Sequence, residues 1–155
     1  MAAGTDAVVR VLSVSPIEED HLALNRIFKR SDWSGYTESK WVLHPTLTLE
    51  SAVASLRASR YPLVLSERDL LPGTWREMLE ETVSLPDPPV VIVTSRMADD
   101  YLWAEALNLG AYDVLAKPFD ANEVIRGLSL AWHHWRERQS IDSSPCGQTL
   151  AATGT

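Results

Sequence analysis

Only one cysteine, Cys146, occurs in the sequence, and it lies in a polar stretch near the C-terminus. A lone thiol closes no internal disulfide, and a cysteine-based zinc site is ruled out with it. Long apolar runs are missing too: none approaches the roughly 18 residues that a membrane span needs. The opening Met1-Ala2-Ala3-Gly4-Thr5-Asp6 has no basic segment followed by an apolar one, so no signal peptide is read and the cytoplasm is the expected compartment. Positive charge is in short supply, with 14 Lys and Arg against 21 Asp and Glu and a formal net charge of -7. That balance disfavours direct nucleic-acid binding, which needs cations opposite phosphates. The few local basic groups, Arg26, Lys29 and Arg30, then Arg136 and Arg138, read as favourable charge near helix C-termini. No Gly-rich phosphate loop follows the first apolar segment, where Ser13-Val14-Ser15-Pro16 stands, and no nucleophile–base motif is present, so no enzyme is expected. His133 and His134 are adjacent and diverge on a helix, which gives no metal site.

What is present is an ordinary globular balance. The chain of 155 residues is 45% hydrophobic and 23% charged, enough for one domain with a sizeable core. Val8–Val14 is apolar enough for a buried first strand, and Glu18-Glu19-Asp20 enter a helix as acids favoured in a first turn. These three are expected on a solvated helix start, with Leu24, Ile27 and Phe28 facing the core. A polar loop is predicted from Ser31 to Lys40, then a short strand Trp41-Val42-Leu43. Thr48 is the predicted cap of a helix that buries Ala52, Val53 and Leu56. Leu63–Ser66 is the third strand, and Thr74 with Glu77 fits a capping box ahead of Trp75, Met78 and Leu79. Val90–Val93 forms the fourth strand, Asp99–Leu109 a helix closed by Gly110, and Val114-Leu115 a fifth strand. Asp120 and Glu123 repeat the box before a last helix carrying Val124, Ile125, Leu128, Trp132 and Trp135. Five strands alternating with five helices argue an α/β fold with a parallel sheet covered on both faces. Residues 8–138 are read as the domain and 139–155 as a disordered tail of Ser, Thr, Gly, Pro and Ala with few apolar anchors.

Three strands end in chemistry. Leu63-Val64-Leu65-Ser66-Glu67 ends in a carboxylate, Val90-Val91-Ile92-Val93-Thr94-Ser95 in hydroxyls, and Leu115-Ala116-Lys117-Pro118-Phe119-Asp120 in an ammonium. In an open parallel sheet these carboxyl ends line one crevice. The pattern resembles the receiver domain of two-component response regulators over about residues 8–135. The resemblance implies a flavodoxin-like (βα)5 fold with strand order 2-1-3-4-5. It also implies a pocket for phosphoryl transfer from a histidine kinase. In such a pocket an aspartate accepts the phosphoryl group, further carboxylates hold Mg²⁺, and a hydroxyl and a lysine neutralise the phosphoryl oxygens.

On that alignment Glu67 occupies the phosphoacceptor position, although counting back from Pro72 would select Arg68. Glutamate carries its carboxylate roughly 1 Å farther than aspartate, so Glu67 resembles a permanent, partial mimic of the phosphorylated residue. Thr94 and Lys117 match the family's hydroxyl and lysine, and Pro118 follows across a bond that is often cis in the family. Ser15 and Pro16 stand where the family has two metal-binding acids, so no Mg²⁺ site and no cofactor are expected. Val114 takes the position of the family's aromatic switch residue, with Tyr112 two residues earlier and on the same face by strand alternation. Trp103, Trp132 and Trp135 lie on the two helices that receivers often use for partners, and tryptophan is enriched at interface hot spots.

The expected function is a stand-alone pseudo-receiver in phosphorelay signalling. It would act by protein–protein contact with a signalling kinase or output protein, with a candidate homodimer face on the fourth and fifth helices. Two alternatives remain open at this point. One is a phosphoacceptor receiver with an atypical acidic pocket, using Glu67 or Asp69 as acceptor and Glu19 or Asp20 to hold metal. The other is a small-molecule binder on a flavodoxin-like fold.

Overall fold

Runs of Val, Leu and Ile bounded by Pro, Gly and Ser form the strands, and capped 3.6-period segments form the helices between them. The structure is a computed structural model that describes residues 8–30 and 39–143. The elements in order are β1 (Val8–Val14), α1 (Glu18–Phe28), β2 (Lys40–Thr46), α2 (Leu49–Ala58), β3 (Leu63–Glu67), α3 (Trp75–Val83), β4 (Val90–Ser95), α4 (Asp100–Leu109), β5 (Asp113–Ala116) and α5 (Ala121–Ser143). All five strands are parallel, in order β2-β1-β3-β4-β5.

Side chains alternate across the sheet with period two. Val9, Val11, Leu63, Leu65, Val90, Ile92 and Leu115 face one side, where Leu24 and Ile27 of α1 and Val124, Ile125 and Leu128 of α5 cover them. Leu12, Val14, Val64, Val91 and Val93 face the other, under Ala52 and Leu56 of α2, Trp75 and Met78 of α3, and Leu102 and Ala106 of α4. Burying each of the larger side chains contributes about 1.5–3 kcal/mol.

The predicted caps are in place. The Thr48 hydroxyl accepts from Ser51 N (3.0 Å). Thr74 N donates to Glu77 Oε1 (2.6 Å) while the Thr74 hydroxyl accepts from Arg76 N (3.2 Å). Asp120 Oδ2 accepts from Glu123 N (3.2 Å). Gly110 closes α4 at φ +111°, a left-handed conformation that favours glycine.

Two elements are longer than their apolar signal suggested. β2 runs to Thr46 because it is an edge strand. Thr46 O accepts from Ser15 N (3.1 Å), so the preceding Pro45 turns its nitrogen toward the open edge, where a missing N–H breaks no ladder. α5 continues through residues 139–143, which were expected in the tail. Polar contacts hold the extension: Gln139 Nε2 donates to Asp87 Oδ1 (2.6 Å), and Arg60 donates to Gln139 Oε1 (2.9 Å). The expectations for most of the Ser31–Lys40 loop, for Cys146 and for the tail beyond residue 143 fall outside the described residues.

Candidate functional site

Strand register brings the chemistry together. Val14 pairs with Ser66, Glu67 with Thr94, and Ser95 with Ala116, so the carboxyl ends of the central strands are flush. Glu67 is the last residue of β3 and is buried, whereas Arg68 is exposed. Glu67, not Arg68, is therefore the residue that β3 buries at the end of the strand. Lys117 follows β5, where its backbone N–H bonds Ser95 O (3.0 Å) and the bond to Pro118 is cis.

The Lys117 ammonium sits between two carboxylates. Nζ donates to Asp20 Oδ2 (2.7 Å) and forms an ion pair with Glu67 Oε1. Only 4% of the lysine side chain is exposed, against 7% for Glu67 and 11% for Asp20. Charges this deep persist only when paired and hydrogen-bonded, and each carboxylate has a further donor. Glu67 Oε2 accepts from Asp69 N (2.9 Å), and Asp20 Oδ2 accepts from the Ser15 hydroxyl (2.8 Å).

Behind Ser15 stands His21. Its Nε2 meets Ser15 O at 3.0 Å, and a carbonyl only accepts, so Nε2 carries a proton; Nδ1 lies 3.2 Å from the Ser13 hydroxyl. The chain His21–Ser15–Asp20–Lys117–Glu67–Asp69 N is thus continuous. A cavity of about 360 Å³ opens above it, with Pro16, Arg68, Arg96 and Met97 at its walls.

Glu67, Thr94, Lys117, Ser15 and Pro16 therefore gather at one end of the sheet. Thr94 is buried beside Glu67, and the adjacent Ser95 hydroxyl accepts from Met97 N (2.9 Å). Pro118 is exposed. Three expectations need correction. Asp20 was expected in solvent and is buried in the pocket; it is the third residue of α1, and its spacing of four and seven from Leu24 and Ile27 puts it on the core stripe. That spacing was the available signal for Asp20, and spacings of three and seven to Leu24 and Phe28 give the same signal for His21. Tyr112 was expected on the face of Val114. It precedes β5, packs with the α1/α5 side and lies 5.1 Å from the His134 ring, while Val114 packs against the α2/α3/α4 side. Trp132 and Trp135 were candidate partner residues. Trp132 is buried edge-on against Trp41 (6.5 Å), and Trp135 stacks on it (5.5 Å) with the Arg60 guanidinium over its ring (4.9 Å). Trp103 alone of the three is exposed, at 49%.

The donor set does not fit Mg²⁺. Serine and proline follow β1, and the two buried carboxylates, Asp20 and Glu67, already share an ammonium. Among the described residues no group of three or more His, Cys, Asp or Glu could hold a metal. Nor is any helix among them long and apolar enough to cross a membrane.

Several solved receiver domains superpose on this chain. The receiver domain of a protein described as a Luxo repressor from Vibrio parahaemolyticus superposes with a TM-score of 0.76 at 17% identity, covering 88% of this chain and 98% of that one. The receiver domain of an HD domain-containing protein from Pseudomonas fluorescens Pf-5 gives 0.72 at 22% identity, covering 85% and 92%. A CheY-like receiver domain protein from Methanospirillum hungatei JF-1 gives 0.71 at 17%, covering 85% and 99%. No family model and no curated protein matches the sequence. The chain has the CheY-like, flavodoxin-like receiver fold, its described residues forming five parallel strands in order 2-1-3-4-5 and five helices.

Proposed function

We propose that the protein is a pseudo-receiver: a cytoplasmic signalling module that works through protein–protein contact, without phosphoryl transfer and without enzymatic activity. The observation that carries this reading is the position of Lys117. Its ammonium is buried between Asp20 and Glu67. A phosphoryl group entering here meets a lysine already shared by two buried carboxylates, with Arg68 and Arg96 at the cavity wall, and charge neutralisation is what phosphoryl transfer demands most. Glu67 is also engaged on both oxygens, by Lys117 and by Asp69 N. It is poorly placed to act as a nucleophile and well placed to hold the following loop in one state. The partner is a signalling kinase or an output protein.

The test is exposure to Mg²⁺ and acetyl phosphate, read by intact mass, alongside Mg²⁺ titration of tryptophan fluorescence with and without beryllofluoride. Trp75 is a suitable reporter because its N–H bonds Arg68 O (3.0 Å) beside the acceptor loop and its ring is buried. The expected result is an unmodified mass and flat fluorescence. A stable phosphoryl adduct lost on Glu67→Gln would replace this reading with that of a phosphoacceptor using an acidic pocket.

A further inference from the structure

A groove separate from the pocket lies between α1 and the edge strand β2. Leu22 and Asn25 of α1 face Leu43 and Pro45 of β2 and Leu47 just after it across about 550 Å³. Its apolar members are open to solvent, Leu22 at 51% and Leu47 at 45%. Charge is arranged about this centre. Glu18 and Arg26 are both exposed, and neither forms an ion pair among the described residues. Positions 18, 22 and 26 follow one another at intervals of four, so they form a single ridge of the helix, acidic at one end, apolar at the middle and basic at the other.

We propose that this face pairs with a second copy of the chain. An antiparallel copy of α1 centred on Leu22 sets Leu22 of one protomer beside Leu22 of its partner and into the Leu43–Leu47 side of the groove. The same two-fold axis sets Glu18 opposite Arg26 of the other protomer, and Arg26 opposite Glu18. A two-fold interface must be self-complementary, and this ridge is. α4 lacks that property. Its outer face exposes Tyr101 and Leu109, but Asp100 and Glu105 are its only charged residues, so α4 set against α4 brings acids together. The inference stands apart from the reading of the pocket.

The experiment is sedimentation velocity of the full chain from micromolar to millimolar concentration, for wild type, Glu18→Arg, Arg26→Glu, the double reversal and Leu22→Asp. All three positions are helical or helix-adjacent surface sites whose replacement leaves the core intact. Wild type is expected to dimerise with rising concentration. Each single reversal places like charges together at both ends of the interface and weakens association by roughly tenfold or more. The double reversal restores it, and Leu22→Asp abolishes it. A protein monomeric at every concentration overturns the proposal. So does a dimer indifferent to the single reversals, which would place the interface elsewhere, or a double reversal no tighter than the singles.

Discussion

Replacing Lys117 with methionine isolates the energetics of the pocket, because it keeps much of the side-chain volume and removes only the charge. Asp20 and Glu67 are then left buried without their cation. Both oxygens lie within hydrogen-bond reach of one nitrogen, so they are at most about 5.5 Å apart. At an effective dielectric constant of about 20 their mutual repulsion is about 3 kcal/mol. Each keeps one donor, Asp69 N or the Ser15 hydroxyl. These soften the loss without neutralising it. Removing one partner of a buried ion pair costs about 3–5 kcal/mol, and the expected destabilisation of Lys117→Met falls in that range. In urea, with a slope of about 2 kcal/mol per molar, the midpoint moves down by about 1.5–2.5 M. The second arm is Lys117→Met combined with Glu67→Gln. Neutralising one carboxylate removes the repulsion, so the double variant is more stable than Lys117→Met alone by about 2–3 kcal/mol. Unfolding followed by tryptophan fluorescence and circular dichroism reads all four corners of the cycle. A Lys117→Met protein within about 1 kcal/mol of wild type, or a double variant no better than the single, would show that the ammonium does not hold this pocket together.

The tryptophans divide by the same kind of measurement. Trp132→Ala empties a buried aromatic site and is expected to cost about 3–5 kcal/mol, whereas Trp103→Ala, at 49% exposure, stays within about 1 kcal/mol of wild type; equal losses at the two sites would contradict the packing described. Tyr112 gives a pH dependence. Burial, reinforced by the negative charges of Asp113 and Glu137, holds its hydroxyl above the ordinary tyrosine value of about 10. The protonated form is the one favoured in the folded state, so this contribution is complete below pH about 10 and is lost as pH rises through the folded value. Ultraviolet titration should show one tyrosine ionising late, and Tyr112→Phe should remove that late step; loss of an ordinary step instead would refute the assignment.

Where sequence and structure agree, local and tertiary preferences point the same way. Thr74 and Glu77 form a capping box, and the next turn carries Trp75 and Met78 inward, so both ends of that prediction rest on one helix. Glu67 and Lys117 were legible because each directly ends or follows a strand of strongly apolar character. Asp20 and His21 were not read because charge at a helix start is ordinarily solvated, and that prior outweighed their spacing to Leu24. Their burial depends on Lys117 and on the Ser13–Ser15 backbone, partners distant or differently phased in sequence. The last five residues of α5 were missed for the opposite reason. A polar segment gives no hydrophobic stripe, and Asp87 and Arg60, which hold Gln139, become neighbours only once the sheet is formed.

The same geometry indicates which way the pocket can speak to the surface. Val114 packs into the α2/α3/α4 side, and Tyr112 is engaged with His134 on the other side of the sheet. The acceptor loop is tied to the pocket directly. Glu67 Oε2 holds Asp69 N (2.9 Å), Leu70 N bonds Gly73 O (3.0 Å), and Trp75 N returns to Arg68 O (3.0 Å), so the loop closes on the first residue of α3. The Arg68–Trp75 segment is therefore tied by backbone hydrogen bonds to the Glu67–Lys117 pair. That segment borders a second cavity of about 360 Å³ between α3 and α4, where Arg76 Nε donates to Glu105 Oε2 (2.8 Å) across the two helices. A glutamate whose far oxygen reaches the loop backbone thus links the buried ion pair to the α3–α4 groove.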